Sequence, residues 1–332
     1  MSNPISPSPA PAPAAGGVRP GEPADAGAWL LLVTPGVIWG ASFLFIAEAL
    51  ESVGPNGVTF GRILIGFATL FCFPQARRPL PKRAWAGAAL LGLIWLAFPL
   101  SLFPYAEQRV SSALTGMLNS ATPLFASLVA AFLARRLPSR GVAAGLGVGF
   151  LGTALIAVPS FGVGGSHLDG VVMILVATLS YGFALNLARP LQTSYGALPV
   201  LLRAQAVALV LTAPMGAREL VAAHWRIGSL LSLLALGALG TGVAFVLMTL
   251  AAGKFGATTA SSTTFLMAPV ALVLGLVVRG EAVAPVSILG GAVCIAGAWL
   301  IRRASDPTAS RTPVAAVRPV PLPLVARRSS RR

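Results

Sequence analysis

The sequence predicts an all-α membrane protein in which ten transmembrane helices form two inverted five-helix repeats. Three observations support this fold class. The chain of 332 residues is 56% hydrophobic and only 10% charged, whereas soluble domains carry about 25% charged residues. Its apolar runs are close to the length of about 20 residues that crosses the hydrocarbon core of a bilayer as a helix. The second half of the chain also repeats landmarks of the first half.

Ten apolar runs, separated by short loops, mark the expected helices. They lie approximately at residues 28–48, 57–75, 85–105, 112–133, 141–159, 170–188, 197–215, 228–249, 257–278 and 284–301. Because the loops are short, consecutive helices are expected to run antiparallel. The first five-helix repeat then covers residues 28–159, and the second covers residues 170–301.

Two polar tails flank the repeats. Residues 1–27 are mostly Pro, Ala, Ser and Gly, and residues 302–332 are rich in Arg and Pro. Neither tail has enough apolar residues to build a packed core, so both are predicted to be disordered.

The formal net charge of +15 raises the question of a nucleic-acid partner, but the position of the charges argues against one. Most basic residues lie in short loops and in the C-terminal tail. With the N-terminus inside the cell, the cytoplasmic loops hold nine Lys and Arg residues and the external loops hold four. This asymmetry follows the positive-inside rule. We therefore expect a multi-pass protein of a bacterial inner (plasma) membrane, with both termini in the cytoplasm.

The internal repeat is visible in individual residues. Pro269 lies 146 residues after Pro123, and the segment around each proline is similar. In the same way, Trp39-Gly40 corresponds to Tyr181-Gly182, and Arg62 corresponds to Arg203. Five helices per repeat is an odd number, so the second repeat must insert upside down. Inverted repeats of this kind are common in transporters, whose substrate sites lie near the midplane between the repeats.

At this point the sequence resembles the EamA-type family of the drug/metabolite transporter superfamily. The resemblance covers about residues 28–301. It is carried by the WGASF segment at 39–43, Arg62, the run NSATPLFASLVAAFL from Asn119, the segment LMAPVALVLG, Gly280-Glu281, Gly290 and Gly297. The resemblance implies a ten-helix bundle with a central cavity that carries small metabolites, often amino acids or related compounds, and frequently outward. The chain departs from the family pattern once, because Ala134-Arg135 occupies the place of the first Gly-Glu pair.

A polar stripe on the fourth helix is the first candidate for the cavity wall. Its residues recur at steps of three and four and so share one helix face, with Pro123 directly after them: Ser112, Thr115, Asn119 and Thr122. The alternative is a helix–helix contact, since small and hydroxyl residues often hold membrane helices together. Ala121, about 140° around a regular helix from the stripe, is expected to face lipid.

Other substrate-binding candidates come from both halves. The rings of Trp39 and Tyr181 lie near mid-span instead of in the interfacial belts where such rings usually gather. We expect Asn119 to bind the polar end of a substrate and Phe265, its counterpart in the second repeat, to contact the apolar part. The remaining candidates are polar residues within or beside these segments: Ser42, Asn186 and Ser261.

Ionisable residues inside the predicted helices give the last candidates. Arg62 is expected to face inward and attract an anionic group, with Glu48 as its resting partner. Glu48 is also the only carboxylate that the predicted boundaries place within a span, which makes it the candidate for proton coupling. The alternative for both residues is anchoring at the membrane interface, where long side chains reach water.

Enzyme chemistry finds no support in the residue inventory. No predicted span contains His or Asp; these residues occur only in loops or tails, at His167, His224, Asp25, Asp169 and Asp306. Hydrolysis by a serine nucleophile needs a base, and zinc sites on helices need His or acidic clusters. We therefore expect no catalytic residues, no metal and no cofactor.

The expected function is transport, and specifically export, of small metabolites such as amino acids or related compounds by alternating access. A passive facilitator or exchanger of the same fold is the first alternative, and a membrane scaffold without flux is the second. The expected partners are a small-molecule substrate and the lipid bilayer. A homodimer is compatible with the sequence, and a nucleic-acid partner is not expected.

The charge asymmetry generates a test of topology. In a background without Cys72 and Cys294, a cysteine replacing Ser166 is expected to react with an impermeant thiol reagent added outside the cell. A cysteine replacing Ser139 is expected to react only after the membrane is permeabilised. The opposite labelling pattern would overturn the orientation with the N-terminus inside.

Overall fold

The computed structural model describes residues 26–162, 165–255 and 261–305. Within these ranges the backbone is almost entirely helical, and no strand occurs among them. The predicted all-α class is therefore confirmed. Residues 26–27 and 302–305, which were assigned to the tails, belong to helices; the rest of both tails lies outside the described residues.

The first half of the chain forms helices α1 to α5. Their bounds are α1 Ala26–Ala49; α2 Pro55–Phe71; α3 Lys82–Leu91, a π-helical segment Gly92–Ala97 and Phe98–Glu107; α4 Ser112–Asn119 and Thr122–Leu133; and α5 Arg140–Ala157, followed by a 3-10 turn Val158–Gly162.

The second half forms helices α6 to α10. Their bounds are α6 Gly165–Tyr195; α7 Ala197–Val221; α8 Ile227–Ala235, a π-helical segment Leu236–Val243 and Ala244–Phe255; α9 Met267–Arg279, preceded by a 3-10 turn Ser261–Leu266; and α10 Pro285–Ser305. Each predicted apolar run overlaps one of these helices.

Seven of the helices in the described ranges are long and apolar enough to cross a membrane, judged by length and composition. These are Lys82–Glu107, Ser112–Leu133, Arg140–Ser160, His167–Tyr195, Ala197–Val221, Ile227–Ala251 and Pro285–Ala304. Two shorter apolar helices, Val33–Ala49 and Thr263–Arg279, accompany them. The chain is therefore a multi-pass membrane protein.

The π-helical segments of α3 and α8 have identifiable causes. In α3 the segment ends just before Pro99, which has no N–H, so the carbonyl of Ile94 cannot receive an i+5 hydrogen bond. That carbonyl instead accepts a hydrogen bond of 2.6 Å from the Ser180 hydroxyl of α6. In α8 the segment contains three glycines, and the Thr241 hydroxyl donates back to the Leu236 carbonyl at 3.2 Å.

Helix α4 is interrupted where the sequence predicted a continuous helix. Residues Ser120 and Ala121 form a tight turn, in which their N–H groups donate to the Met117 and Leu118 carbonyls three residues earlier. Pro123 follows directly and disfavours continued α-helix. The turn rotates the chain, so the expectation that Ala121 faces lipid is wrong: its side chain is completely buried.

The two ends of the bundle differ in charge. We call the end that holds every glutamate of the described residues the acidic end; its members are Glu48, Glu51, Glu107, Glu219 and Glu281. At the opposite, basic end, the Arg203 guanidinium donates to the Ala76 carbonyl at 2.6 Å, and Arg83 lies over the ring of Tyr195. The helices alternate between these ends as an antiparallel bundle requires.

The two halves use equivalent contacts, and each half packs against the other. Trp39 of α1 donates from its indole N–H to the Gly240 carbonyl in the π segment of α8, at 3.0 Å. The matching contact is the bond from Ser180 of α6 to Ile94 in the π segment of α3. The two accepting residues, Ile94 and Gly240, are 146 residues apart, the same separation as the two prolines.

Helices α5 and α10 pack so closely that their glycines meet. A methyl group on Gly152 would overlap the backbone of Cys294 and Gly290, and one on Gly297 would overlap the backbone of Gly149. The glycines that carried part of the family resemblance are therefore needed for the close approach of two helix backbones.

This packing predicts unequal effects of two alanine substitutions in one helix. Gly152→Ala is expected to lower the free energy of unfolding by about 1–3 kcal/mol because the added methyl overpacks the α5–α10 contact. Gly147→Ala is the control: it lies in the same helix, and a methyl there meets no atom within 4 Å. Thermal unfolding of the purified proteins in detergent measures both, and equal melting temperatures would contradict the close contact.

Candidate functional site

Side chains from three helices converge on the π segment of α8. The Trp39 indole donates to the Gly240 carbonyl, and the Gln205 amide of α7 donates to the Thr241 carbonyl at 2.8 Å. The Arg62 guanidinium of α2 donates from Nε to the Thr241 hydroxyl at 3.2 Å. π-Helical segments are frequent at functional sites, and this one joins α1 and α2 of the first half to α7 and α8 of the second.

Arg62 is a buried cation at this junction. Its side chain is only 6% exposed. The bond to Thr241 is its single hydrogen bond within the described part of the chain, although a guanidinium carries five donors. Tyr181 and Glu107 lie within electrostatic range. The guanidinium is therefore held in the bundle with most of its donors unused.

Tyr181 lies near Arg62, at one end of a row of aromatic rings. Its ring centroid is 5.8 Å from that of Phe103, which is 5.8 Å from that of Phe43. The row places apolar surface next to the charged group of Arg62. A site with one cationic pole and an aromatic flank suits a small ligand that has an anionic group and an apolar part.

Trp39 belongs to a second aromatic cluster. Its ring packs edge-on against Phe245 at a centroid distance of 5.4 Å, and Phe245 packs against Trp95 at 5.5 Å. Trp39 and Tyr181 correspond in the two repeats, but each stacks with different partners. Both rings are only partly buried.

The polar stripe of α4 is largely engaged in packing and capping. The Ser112 hydroxyl donates to Glu281 at 2.8 Å, and the fully buried Thr115 donates to the Ser111 carbonyl at 2.9 Å. The Thr122 hydroxyl donates to the Asn119 carbonyl at 2.7 Å. Asn119 is buried, and its side-chain NH₂ donates to no partner among the residues described. Asn119 is thus the stripe residue with a free donor.

Two further candidates hold helices together. The Asn186 amide donates to the Ala126 carbonyl of α4 at 3.0 Å and to the Gly182 carbonyl at 2.8 Å. The Ser42 hydroxyl donates to the Ile38 carbonyl at 2.9 Å and packs where Gly240 has no side chain. Both side chains therefore already donate their hydrogen bonds to partners within the protein.

The two candidates of the second repeat lie in the 3-10 turn before α9. Phe265 is partly buried and packs against the hydrophobic core. The side chain of Ser261 lies outside the described residues, as does Thr258, the counterpart of Ser112.

Glu48 does not pair with Arg62, contrary to expectation. Its carboxylate forms an ion pair with Arg279, which also reaches Glu51 at 3.3 Å and Glu281 at 3.7 Å. This cluster lies at the acidic end and is partly exposed, with 29% of the Glu48 side chain accessible. Arg62 instead donates to the Thr241 hydroxyl of α8.

Glu107 is a site residue that lies outside the predicted spans. The third apolar run predicts a helix that ends at residue 105, but α3 continues to Glu107. Both carboxylate oxygens are buried, and neither accepts a hydrogen bond within the described ranges. Arg62, Arg279 and Glu281 lie within electrostatic range. A glutamate directly at the end of a long apolar run was the signal that could have identified it.

The Gly280-Glu281 pair has a structural role in the second copy. Gly280 ends α9 in the left-handed region at φ 63°, a conformation that glycine adopts without strain. The chain then turns so that the Glu281 carboxylate accepts hydrogen bonds from the N–H groups of Ser112 and Ala113, at 3.0 and 2.9 Å. A carboxylate at a helix N-terminus satisfies free donors and interacts favourably with the helix dipole. Glu281 therefore caps α4 across the two halves.

The described residues include no group of His, Cys, Asp and Glu side chains that could hold a metal ion. The polar groups of the site are hydrogen-bond donors and single charges, which are suited to binding a small organic ligand.

Comparisons with known proteins agree with this architecture. The model of the EamA-like transporter family matches residues 27–158 and again residues 168–303. A probable terminal-alkyne amino-acid exporter from Streptantibioticus cattleyicolor is 28% identical over 279 residues, which cover 83% of this chain and 93% of that protein. The uncharacterized transporter YdfC of Bacillus subtilis is 26% identical over 270 residues, covering 78% and 86%.

A crystal structure shares the fold, with a TM-score of 0.57 at 20% identity over 85% of this chain and 99% of the other. The two family matches cover most of the chain and coincide closely with its two sets of helices. The chain therefore belongs to the EamA-like transporter family.

Proposed function

We propose that this protein exports small metabolites, such as amino acids or related compounds, by alternating access between two inverted five-helix halves. Membership of a transporter family supports the general activity. The name of the relative from Streptantibioticus cattleyicolor, a probable amino-acid exporter, supports the substrate class and the direction.

The observation that carries the proposal is the position of Arg62. Its guanidinium is buried where the first half meets the second, and Thr241 of the second half holds it by one hydrogen bond. A buried charge is costly unless it is paired. A substrate carboxylate would pair with this cation through two parallel hydrogen bonds, and the adjacent aromatic row would contact an apolar side chain.

The proposed topology has ten crossings, with the acidic end outside and the basic end in the cytoplasm. The excess of Lys and Arg at the basic end supports this orientation. It places both termini in the cytoplasm, and the bacterial origin of the two relatives supports a plasma-membrane location.

The first test is flux in proteoliposomes with a panel of labelled amino acids and the corresponding carboxamides. We expect the wild-type protein to transport amino acids and to discriminate against carboxamides, which lack the anionic group. Arg62→Gln is expected to raise the KM for amino acids at least tenfold, with a smaller effect on carboxamides, because the lost pair is specific to the carboxylate.

Arg203→Gln is the matched control, since Arg203 is the counterpart of Arg62 and donates to backbone carbonyls at the basic end. It is expected to leave the discrimination unchanged. Flux without discrimination would refute the role of Arg62. Wild-type protein that binds the panel without moving it would favour a scaffold, and movement only in exchange for internal substrate would favour an exchanger.

The second test concerns Asn119, whose side-chain NH₂ donates to no partner among the described residues. We expect Asn119→Leu to lower flux at least tenfold while the melting temperature changes little, because an apolar side chain suits the membrane interior. Ala130→Leu replaces Ala121 as the control, since Ala130 lies on the exposed side of α4. A parallel fall in flux and melting temperature would instead assign Asn119 to packing.

A further inference from the structure

We propose that Glu107 is a proton-binding site: the carboxyl group is protonated in the conformation described here and releases its proton when the acidic end opens to water. The ligand is a single proton, which binds to the carboxylate and is released from it without any change of oxidation state. The inference rests on the proposed transport function only for the step that this proton would accompany.

Glu107 differs from every other glutamate of the described residues. Glu219 accepts hydrogen bonds from Asn56 and Gly57, and Glu281 accepts them from Ser112 and Ala113. Glu48 and Glu51 form ion pairs with arginines. Both oxygens of Glu107 are buried, and neither has a hydrogen-bond partner among the described residues.

The surrounding charges do not neutralise Glu107 directly. The charged groups that face it are Arg62 from α2, Arg279 at the end of α9 and Glu281 in the following loop. Arg279 is already bound by Glu48 and Glu51, and Arg62 donates to Thr241. The Arg109 guanidinium, two residues along the chain, donates to the Tyr105 carbonyl. Within the part of the chain that the structure describes, no cation therefore forms an ion pair with Glu107.

An ionised carboxylate in such a place is unstable. Its transfer from water into an apolar interior is so unfavourable that a group of this kind normally becomes neutral. A neutral carboxyl needs far less solvation, so the protonated form fits the described conformation. When the acidic end opens, water can solvate the charged form and the proton can leave.

The proton is thereby linked to the conformation. The ties across the acidic end, Arg279 with Glu48 and Glu281 with the start of α4, close the region around Glu107. Because linkage is reciprocal, a site that binds a proton better in the closed state also favours closure when the proton concentration rises. An acidic exterior would therefore promote closure of the acidic end after a substrate has left.

The first experiment needs no substrate. A hydrophobic carbodiimide reacts with protonated carboxyl groups in apolar surroundings, and mass spectrometry of the peptide containing Glu107 detects the adduct. In purified wild-type protein we expect the carbodiimide to label Glu107 to a constant extent at low pH. This labelling is expected to fall at least fivefold as the pH is raised. Glu107→Gln is expected to remove the adduct, and Asp169→Asn, which removes an exposed carboxylate of α6, to leave it unchanged. Absence of labelling at Glu107 at every pH would overturn the proposal.

The second experiment uses flux. Glu107→Gln, a neutral mimic of the protonated form, is expected to lose the dependence of flux on external pH while retaining exchange of internal for external substrate. Glu107→Asp keeps the acid and is expected to retain that pH dependence, and Asp169→Asn, which removes an exposed carboxylate of α6, is expected to behave as the wild type. Melting temperatures of the variants check that each one folds.

The outcomes separate the two levels of inference. Loss of exchange in a folded Glu107→Gln protein, with substrate protecting Glu107 from the carbodiimide, would assign the carboxylate to the ammonium group of the substrate and overturn proton binding. pH-dependent labelling in a wild-type protein that moves no compound of the panel would support the proton site and refute the proposed transport.

Discussion

In a membrane, backbone polar groups must find partners inside the protein, because lipid offers none. This requirement shapes every irregularity of the bundle. The carbonyl left unpaired by Pro99 in α3 takes the Ser180 hydroxyl of α6, and the π segment of α8 takes donors from Trp39 and Gln205. The π segments of α3 and α8 are thus two of the points at which the halves of the chain are joined. Arg62 lies at the second of these points, where it donates to the Thr241 hydroxyl.

The charged side chains follow the same logic at the acidic end. Free N–H groups at the starts of α2 and α4 are capped by Glu219 and Glu281, which come from the other half of the chain. Partnered in this way, the carboxylates stabilise the closed end. Glu107 differs from them because neither of its oxygens accepts a hydrogen bond from the residues that the structure describes. One end of the bundle therefore combines carboxylates that hold helices together with the one to which we assign proton binding.

The all-helical membrane class could be predicted from the sequence, because the length of an apolar run is a local signal that does not depend on how the helices pack. The polar stripe on α4 was predicted as a pattern, and Ser112 and Thr115 of this stripe hydrogen-bond within the protein; its role in substrate binding stays a prediction. Arg62 was expected to face inward, with anchoring at the membrane interface as the alternative, and its expected partner was Glu48. The wrong partner was predicted because the packing of the helices decides which charged side chains meet. Glu107 was omitted because the predicted helix ended two residues too early.

The one-sided cap by Glu281 has a consequence for the resting state of the protein. The corresponding position of the first half, 146 residues earlier, is Arg135. Arg135 is itself in the left-handed region at φ 50°, whereas in the second copy the left-handed residue is Gly280, one position before Glu281. A guanidinium cannot accept hydrogen bonds from N–H groups. Arg135 therefore cannot form at the basic end the helix cap that Glu281 forms at the acidic end. A helix cap contributes about 0.5–2 kcal/mol, and about 1.4 kcal/mol corresponds to a tenfold ratio of populations. In the proposed alternating-access cycle, the Glu281 cap would therefore favour the state that is closed at the acidic end.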